Sequence, residues 1–174
     1  MKKTILILAL FLFTFNSYSQ FGISLGYGSS KAKISGSSLG GLSLSSENIS
    51  SFSLGLLNNS SLSDATAIEY GIVVGFADGS NSLGIPLNLK YYTSGEQSGF
   101  HIIGGVGLGL ALGDIDTETV KKTTFSGGLG LGFDLSSNIS ARVSYSTQLN
   151  NSSNIDGLTL KGSGIGLGIQ YWFK

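Results

Sequence analysis

The chain has 174 residues, of which 10 are basic and 10 acidic, with 27 glycines, one histidine and no cysteine. Its balanced charge excludes the strongly basic surface typical of nucleic-acid binding, so we expect no nucleic-acid partner. The lack of cysteine excludes disulfides, thiolate metal sites, thiol nucleophiles and a lipid anchor on an N-terminal cysteine. Charged residues make up only 11% of the chain, well below the ~25% of an ordinary soluble domain.

The N-terminus has the layout of a secretory signal peptide. Two lysines follow Met1, an apolar run over 4–15 comes next, and a small-x-small triplet ends at Ser19. The run is shorter than the ~20 apolar residues of a membrane helix. We therefore predict that residues 1–19 are a signal peptide cleaved before Gln20. The exported domain then spans 20–174 and carries 8 basic and 10 acidic residues, a net charge of −2.

Alternation of bulky apolar and small residues with period two dominates the rest of the chain, and this pattern is typical of β-strands. Turn residues separate eight such segments, and no segment shows sustained helical periodicity. The sequence therefore predicts an all-β fold, an eight-stranded antiparallel up-and-down barrel. The predicted strands lie at 21–28, 52–56, 64–76, 82–92, 99–112, 123–135, 138–149 and 160–173. The predicted connections are a long Ser/Gly-rich loop over 29–48, then 58–63, 77–81, 93–98, 113–122, 136–137 and 150–159.

The composition of the two faces predicts which face meets lipid. One face of the later strands is almost entirely glycine, as at Gly105, Gly107 and Gly109. A water-exposed surface would carry ~25–35% charged residues, whereas small residues suit the narrow lumen of an eight-stranded barrel. We therefore predict a transmembrane barrel in the outer membrane rather than a soluble barrel or sandwich. Outer-membrane lipid then surrounds the bulky rows, and the outer-membrane insertion machinery acts on the C-terminal strand.

Aromatic residues sort into two belts when the N-terminus is placed in the periplasm, as expected at the two interfaces of a membrane barrel. The predicted periplasmic belt comprises Phe21, Tyr91, Phe100, Phe133, Tyr171 and Phe173. The predicted outer belt comprises Tyr27, Phe52, Phe76, Phe125 and Tyr145. This topology places the 29–48 loop outside the cell, where we expect protease to cut near Lys31 or Lys33.

The segment Leu83-Gly84-Ile85-Pro86-Leu87-Asn88-Leu89-Lys90-Tyr91-Tyr92 resembles a characteristic strand of the PorT-like outer-membrane β-barrel family. The stretches Ser61-Leu62-Ser63-Asp64 and Gly166–Phe173 also resemble segments of that family. The resemblance covers essentially all of 21–174 and implies the barrel fold and the outer membrane. It implies no activity, since most members have none established, although one member name is linked to protein secretion.

The inward rows contain few ionisable residues, namely Glu69, Lys90, His101, Asp134 and Arg142. We interpret them as a structural polar network that fills the lumen, because buried polar groups need partners; a lumenal path or binding site is the alternative. If the connecting hairpin is centred on Gly79-Ser80, Glu69 and Lys90 lie directly opposite each other. We therefore predict an ion pair between them.

Catalytic and metal sites are harder to assemble from these residues. His101 is the single histidine and has no obvious serine partner, although triad chemistry needs nucleophile, base and orienter together. Asp114, Asp116 and Glu118 have side chains suited to Ca²⁺, but the sequence favours a solvated acidic loop tip. We therefore expect no enzymatic activity, no cofactor and no metal.

The sequence favours a non-enzymatic barrel with an envelope-structural or surface-interaction role, in which outer loops contact an envelope or extracellular protein that the sequence does not identify. The alternatives are an accessory subunit of a secretion or assembly machinery, a small channel and a membrane-embedded hydrolase.

Overall fold

The computed structural model describes residues 19–36, 40, 42–113 and 118–173, so the segment predicted as a signal peptide lies almost wholly outside the described residues. Nine antiparallel strands form one sheet, which pairing of the first strand with the last closes into a barrel. The predicted eight-stranded barrel is confirmed, and the ninth strand, Ser43–Ser45, is a short extra segment on the same edge of the first strand as that strand's next neighbour in the wall. The strands are β1 (Ser19–Gly36), β2 (Ser43–Ser45), β3 (Ile49–Ser61), β4 (Thr66–Ala77), β5 (Ser80–Tyr92), β6 (Phe100–Leu112), β7 (Thr123–Asp134), β8 (Ile139–Gln148) and β9 (Leu158–Phe173).

The strand register sets the tilt of the strands. Following directly opposed residues once around the barrel from Gln20 leads back to β1 at Ser30, ten residues farther along. The route passes through Asn59, Glu69, Asn88, Gly105, Gly128, Ser146 and Gly164. With a strand rise of about 3.3 Å and a strand spacing of about 4.8 Å, this stagger corresponds to a tilt of about 40°. Membrane barrels have tilts in this range.

The barrel has two ends that differ in their connections. We call the end at which β1 begins and β9 finishes the terminal rim; the connections 62–65, 93–99 and 135–138 lie there. The opposite end, the loop rim, has the connections 37–48, 78–79, 113–122 and 149–157. In the part of the chain that the structure describes, no helix is long and apolar enough to cross a membrane.

The bulky rows face outward and the small rows face the lumen, as predicted. Leu129 is 70% exposed and Leu25 60%, and similar side chains cover the wall on all sides. An apolar surface of this extent requires an apolar surrounding. The two predicted aromatic belts are present on this wall: Phe21 stacks on Phe173 at the terminal rim, and Tyr27 packs edge-on against Phe52 toward the loop rim.

The predicted 29–48 loop is wrong for most of its length. β1 continues to Gly36 and pairs there with β9, while Lys33, Ile34 and Ser35 also pair with β2. β2 and β3 follow one another along the same edge of β1, interrupted by a bulge at 46–48 in which Ser46 Oγ accepts the Ala32 N–H at 2.9 Å. The Ser/Gly-rich sequence resembles a loop, but backbone pairing to a neighbouring strand does not depend on side chains. Similarly, β3 runs to Ser61, so the turn predicted at 58–63 lies at 62–65.

The predicted register of the β4–β5 hairpin is wrong by two residues. The turn is the dipeptide Asp78-Gly79, and Gly79 has a φ of 71°, the left-handed conformation that glycine favours in two-residue hairpins. Glu69 consequently lies opposite Asn88, and Lys90 lies opposite Ala67. A slip of two residues leaves every side chain on its predicted face, so Glu69 and Lys90 still point into the lumen.

Candidate functional site in the barrel lumen

A cluster around Glu69 fills the lumen in the part nearer the terminal rim. The Glu69 carboxylate is fully buried. Oε2 lies 2.7 Å from Lys90 Nζ and accepts a hydrogen bond of 2.8 Å from Gln170 Nε2. Oε1 accepts hydrogen bonds of 2.9 Å from both Arg142 Nη1 and Asn88 Nδ2. Four donors thus occupy the capacity of one ionised carboxylate, and the predicted contact with Lys90 is present.

The strand geometry explains why these residues meet. Lys90 and Asn88 come from β5, next to Glu69 in the sheet, with Asn88 directly opposite and Lys90 on the diagonal. Arg142 and Gln170 come from β8 and β9 and reach Glu69 across the lumen. Such contacts are possible because the interior of an eight-stranded barrel is only as wide as its side chains. Two cations and two amides thereby compensate the desolvation of one buried carboxylate.

A second cluster lies beside the first at the terminal rim. Ser140 Oγ donates to Asp134 Oδ1 at 2.6 Å and accepts the Trp172 indole N–H at 3.2 Å. The Trp172 ring also lies under the Lys90 ammonium, which is 4.7 Å from the ring centroid. His101 packs against the Tyr92 ring, with centroids 4.8 Å apart. Lys90 therefore links the two clusters into one continuous plug, and we use lumenal plug for Glu69 with these surrounding side chains.

His101 packs against the barrel wall at the edge of the plug. Its Nδ1 lies 3.1 Å from the Gly99 carbonyl oxygen and 3.9 Å from Asp134 Oδ1. The ring lies over Gly132, the residue directly opposite on β7, where any Cβ atom would overlap it. Nε2 is buried without a hydrogen-bond partner. The absence of a side chain at Gly132 thus leaves the space that the His101 imidazole occupies.

The plug is not arranged for acyl transfer. In a serine triad the histidine lies between the serine and the carboxylate, whereas here Asp134 lies between Ser140 and His101. Among the described residues, no group of three or more His, Cys, Asp or Glu side chains is placed to hold a metal ion. Asp114 and Asp116 lie outside the described residues, so the interpretation of that loop as a solvated acidic tip rather than a calcium site stays a prediction.

Nearer the loop rim the lumen is lined by small residues and is less filled. Two cavities of about 180 and 140 Å³ lie there. Both border Arg142 and Ser144, and serine hydroxyls and glycine backbone form much of their walls. We call these two cavities together the vestibule. Arg142 thus forms the boundary between the plug on one side and a small polar space on the other.

All five ionisable residues predicted for the lumen face inward, but the predicted set was incomplete. Asn88, Ser140, Trp172 and Tyr92 belong to the same plug and were not predicted to do so. Strand alternation places each of them on the inward row, so the signal was present in the sequence. The signal was obscured because Trp172 and Tyr92 each follow another aromatic residue, Tyr171 and Tyr91, that faces lipid. Two adjacent aromatic residues do not by themselves indicate which of the two rings faces the lumen.

The outer membrane protein beta-barrel domain family matches residues 4–173. The chain belongs to this family. The match concerns outer-membrane barrels in general and does not extend to the narrower PorT-like group. No protein of curated function matches the sequence.

Solved structures show the same fold at low sequence identity. A de novo designed transmembrane β-barrel has a TM-score of 0.55 and 12% identity, over 91% of this chain and 98% of the other. The Ail protein of Yersinia pestis, solved in complex with the heparin analogue sucrose octasulfate, has a TM-score of 0.52 and 18% identity, over 90% and 99%. Neisserial surface protein A has a TM-score of 0.50 and 17% identity, over 88% and 97%. Family and fold together place the protein in the outer membrane.

Proposed function

We propose that this protein is a plugged, non-enzymatic barrel that acts through surfaces at its rims, in an envelope-structural or surface-interaction role. The observation that carries the proposal is the lumenal plug. Because Glu69, Lys90, Arg142 and Trp172 meet in the lumen from opposite walls, we infer that the interior offers no continuous solute path. The protein then acts through surfaces outside the lumen.

The loop rim supports a surface role because one side of it is raised. β1 and β9 remain paired up to Gly36 and Leu158, whereas the β4–β5 hairpin turns at Asp78-Gly79. We call the paired segments 31–36, 43–45 and 158–163 the ribbon. A rigid, paired ribbon on a closed barrel is a suitable platform for contacts, since binding concentrates on segments that a stable scaffold positions.

Planar-bilayer recording separates the proposal from a channel. The refolded chain should heat-modify on detergent gels, as closed barrels do, yet give no stable conductance. A Glu69→Ala/Arg142→Ala variant, which removes the bridge across the lumen, is the positive control and should conduct ions if it remains folded. Steady conductance by the unmodified protein would refute a plugged barrel. Crosslinking from positions 43 and 45 in intact cells then tests for a protein neighbour.

An accessory role in a secretion or assembly machinery is the second candidate. It is supported by the resemblance to PorT-like proteins and by an organised surface at the terminal rim. There Gln97 Nε2 donates to the Ser63 and Thr66 carbonyl oxygens at 2.6 and 3.0 Å, which ties the 62–65 and 93–99 connections together. Gene deletion followed by assays of secretion, with co-purification from solubilised outer membranes, distinguishes this role from a surface role. Contacts of the wall with outer-membrane lipid and of β9 with the insertion machinery are part of either proposal.

A further inference from the structure

Three lysines share one patch on the outward side of the ribbon. Lys31 and Lys33 are two residues apart on β1, and Lys33 lies directly opposite Lys161 of β9. Strand alternation places all three on the outer face, in the same rows as Tyr27 and Ile165, and all three are exposed. We call Lys31, Lys33 and Lys161 the lysine triplet.

No residue in the described part of the chain forms an ion pair with the lysine triplet. The ion pairs found there all lie in the lumenal plug. Glu47 lies in the bulge opposite β1 but forms no ion pair with these lysines. Cβ atoms of opposed residues are ~4.5–5.5 Å apart, and like charges at that distance destabilise a sheet. An anion from outside the chain would remove this repulsion.

The height of the triplet above the wall indicates which anion is available. Lys31 is four residues beyond Tyr27 of the aromatic belt, about 13 Å along the strand and about 10 Å along the barrel axis at a tilt of about 40°. The headgroup layer of a membrane extends roughly 5–8 Å beyond the hydrocarbon. Lysine side chains bend their ammonium groups toward that layer while their stems follow the protein surface. Lys31 therefore lies within reach of lipid headgroups. Lys33 lies about 5 Å farther along the axis with Lys161 opposite it, so these two ammonium groups lie at the outer limit of that reach.

Neighbouring hydroxyls complete a polar patch of the same character. Ser45 lies opposite Lys33, and Ser163 lies opposite Lys31, so both side chains share the outer face with the lysines. Below them the wall becomes apolar at Leu167 and Leu25. The patch thus has cationic and hydroxyl groups above and an apolar surface below, which matches a phosphate headgroup joined to acyl chains.

We propose that the lysine triplet binds the phosphate groups of anionic lipids in the leaflet around the loop rim. This inference goes beyond the surface role proposed above and does not depend on it. Each basic residue near a membrane surface increases the affinity for anionic lipid about fivefold. Removing three charges should therefore weaken binding on the order of a hundredfold.

Calorimetric titration of the refolded mature chain in dodecyl maltoside tests the proposal, with bisphosphorylated lipid A as the probe. The Lys31→Gln/Lys33→Gln/Lys161→Gln variant should lose about a hundredfold in affinity. The Lys121→Gln/Lys122→Gln variant, which removes two lysines of the 113–122 connection at the same rim but outside the patch, is the comparison and should lose much less affinity than the triple variant; an equal loss would overturn the triplet as the binding site. Glu47→Gln should bind more tightly, because it removes the carboxylate beside the patch.

A second measurement distinguishes weaker lipid binding from loss of folding. Lys33→Gln should raise the unfolding temperature in neutral maltoside, where it relieves repulsion with Lys161, and lower it in vesicles that contain lipid A. The same sign in both surroundings would overturn the proposal, as would unchanged lipid A affinity of the triple variant. Binding of inorganic pyrophosphate without any binding of lipid A would overturn the lipid as the source of the phosphate.

Discussion

At the scale of single residues, Glu69 connects four strands of the barrel. It lies on β4, and its four donors come from β5, β8 and β9. Glu69→Gln leaves Lys90 and Arg142 without their carboxylate, and breaking a buried pair costs about 3–5 kcal/mol. Lys90→Met leaves Glu69 with Arg142 and should therefore cost less. The double variant should lose less than the sum of the two, with a coupling energy of about 0.5–3 kcal/mol. Urea unfolding in vesicles measures all three.

Glu96→Gln is the control for this cycle, because Glu96 is an exposed acid in the 93–99 connection. We expect its free energy of unfolding to stay within about 0.5 kcal/mol of the unmodified chain. Additive losses for Glu69→Gln and Lys90→Met would show that the two side chains do not interact.

Gly132 offers a separate test of the plug. A Cβ atom at this position would overlap the His101 ring, so Gly132→Ala should destabilise the barrel by about 1–3 kcal/mol through overpacking. Gly104→Ala is the matched control: its Cβ would lie 3.5 Å from Leu129 Cδ2, an ordinary contact on the lipid-facing wall. That substitution should be neutral or stabilise by about 0.4–1 kcal/mol, because the unfolded chain loses freedom. Equal effects of the two alanines would show that His101 does not occupy the space at Gly132.

At the scale of strands, the sequence was informative wherever a bulky row faces lipid. The ends of β6 and β7 lie within one residue of their predicted positions, because leucine and glycine alternate there without interruption. β1 beyond Gly28 was missed, since Ser29, Ser30 and the two lysines give no apolar row. Its strand conformation depends on pairing with β9, which is more than a hundred residues away in the chain. The register of β4 and β5 is set by the position of Gly79 in the turn. Alternation alone does not fix it, because a shift of two residues leaves every side chain on the same face.

The ribbon changes the protease site that we expect, because Lys31 and Lys33 lie in a strand paired to β9 and not in a loop. Trypsin added to the folded barrel should leave these bonds intact and cut first after Lys121 or Lys122, which are exposed in the 113–122 connection. Ser163→Pro, opposite Lys31, removes a backbone donor inside the sheet and should open the ribbon to cleavage. Mass spectrometry of the fragments identifies the sites. Early cleavage at Lys33 in the unmodified barrel would show that the ribbon is not paired in solution.

At the scale of the whole molecule, an even number of barrel strands places the start of β1 and the end of β9 at the same rim. Closure by β1 and β9 pairs the last free edges, so every strand of the wall has two neighbours in the bilayer. The stagger of ten residues then brings β8 and β9 within reach of β4 across the lumen. The plug and the closed wall are thus consequences of the same register.

Orientation in the membrane is the property of the whole barrel that decides which rim meets the outside. In membrane barrels the short turns face the periplasm and the longer connections face outward; here 62–65 and 135–138 lie at the terminal rim, and 37–48 and 149–157 lie at the loop rim. The chain has no cysteine, so single cysteines report position without background. Ser43→Cys at the loop rim should react with a membrane-impermeant maleimide on intact cells. Ser137→Cys at the terminal rim should react only after the outer membrane is opened, and the reverse pattern would invert the topology and remove the lysine triplet from the outer leaflet.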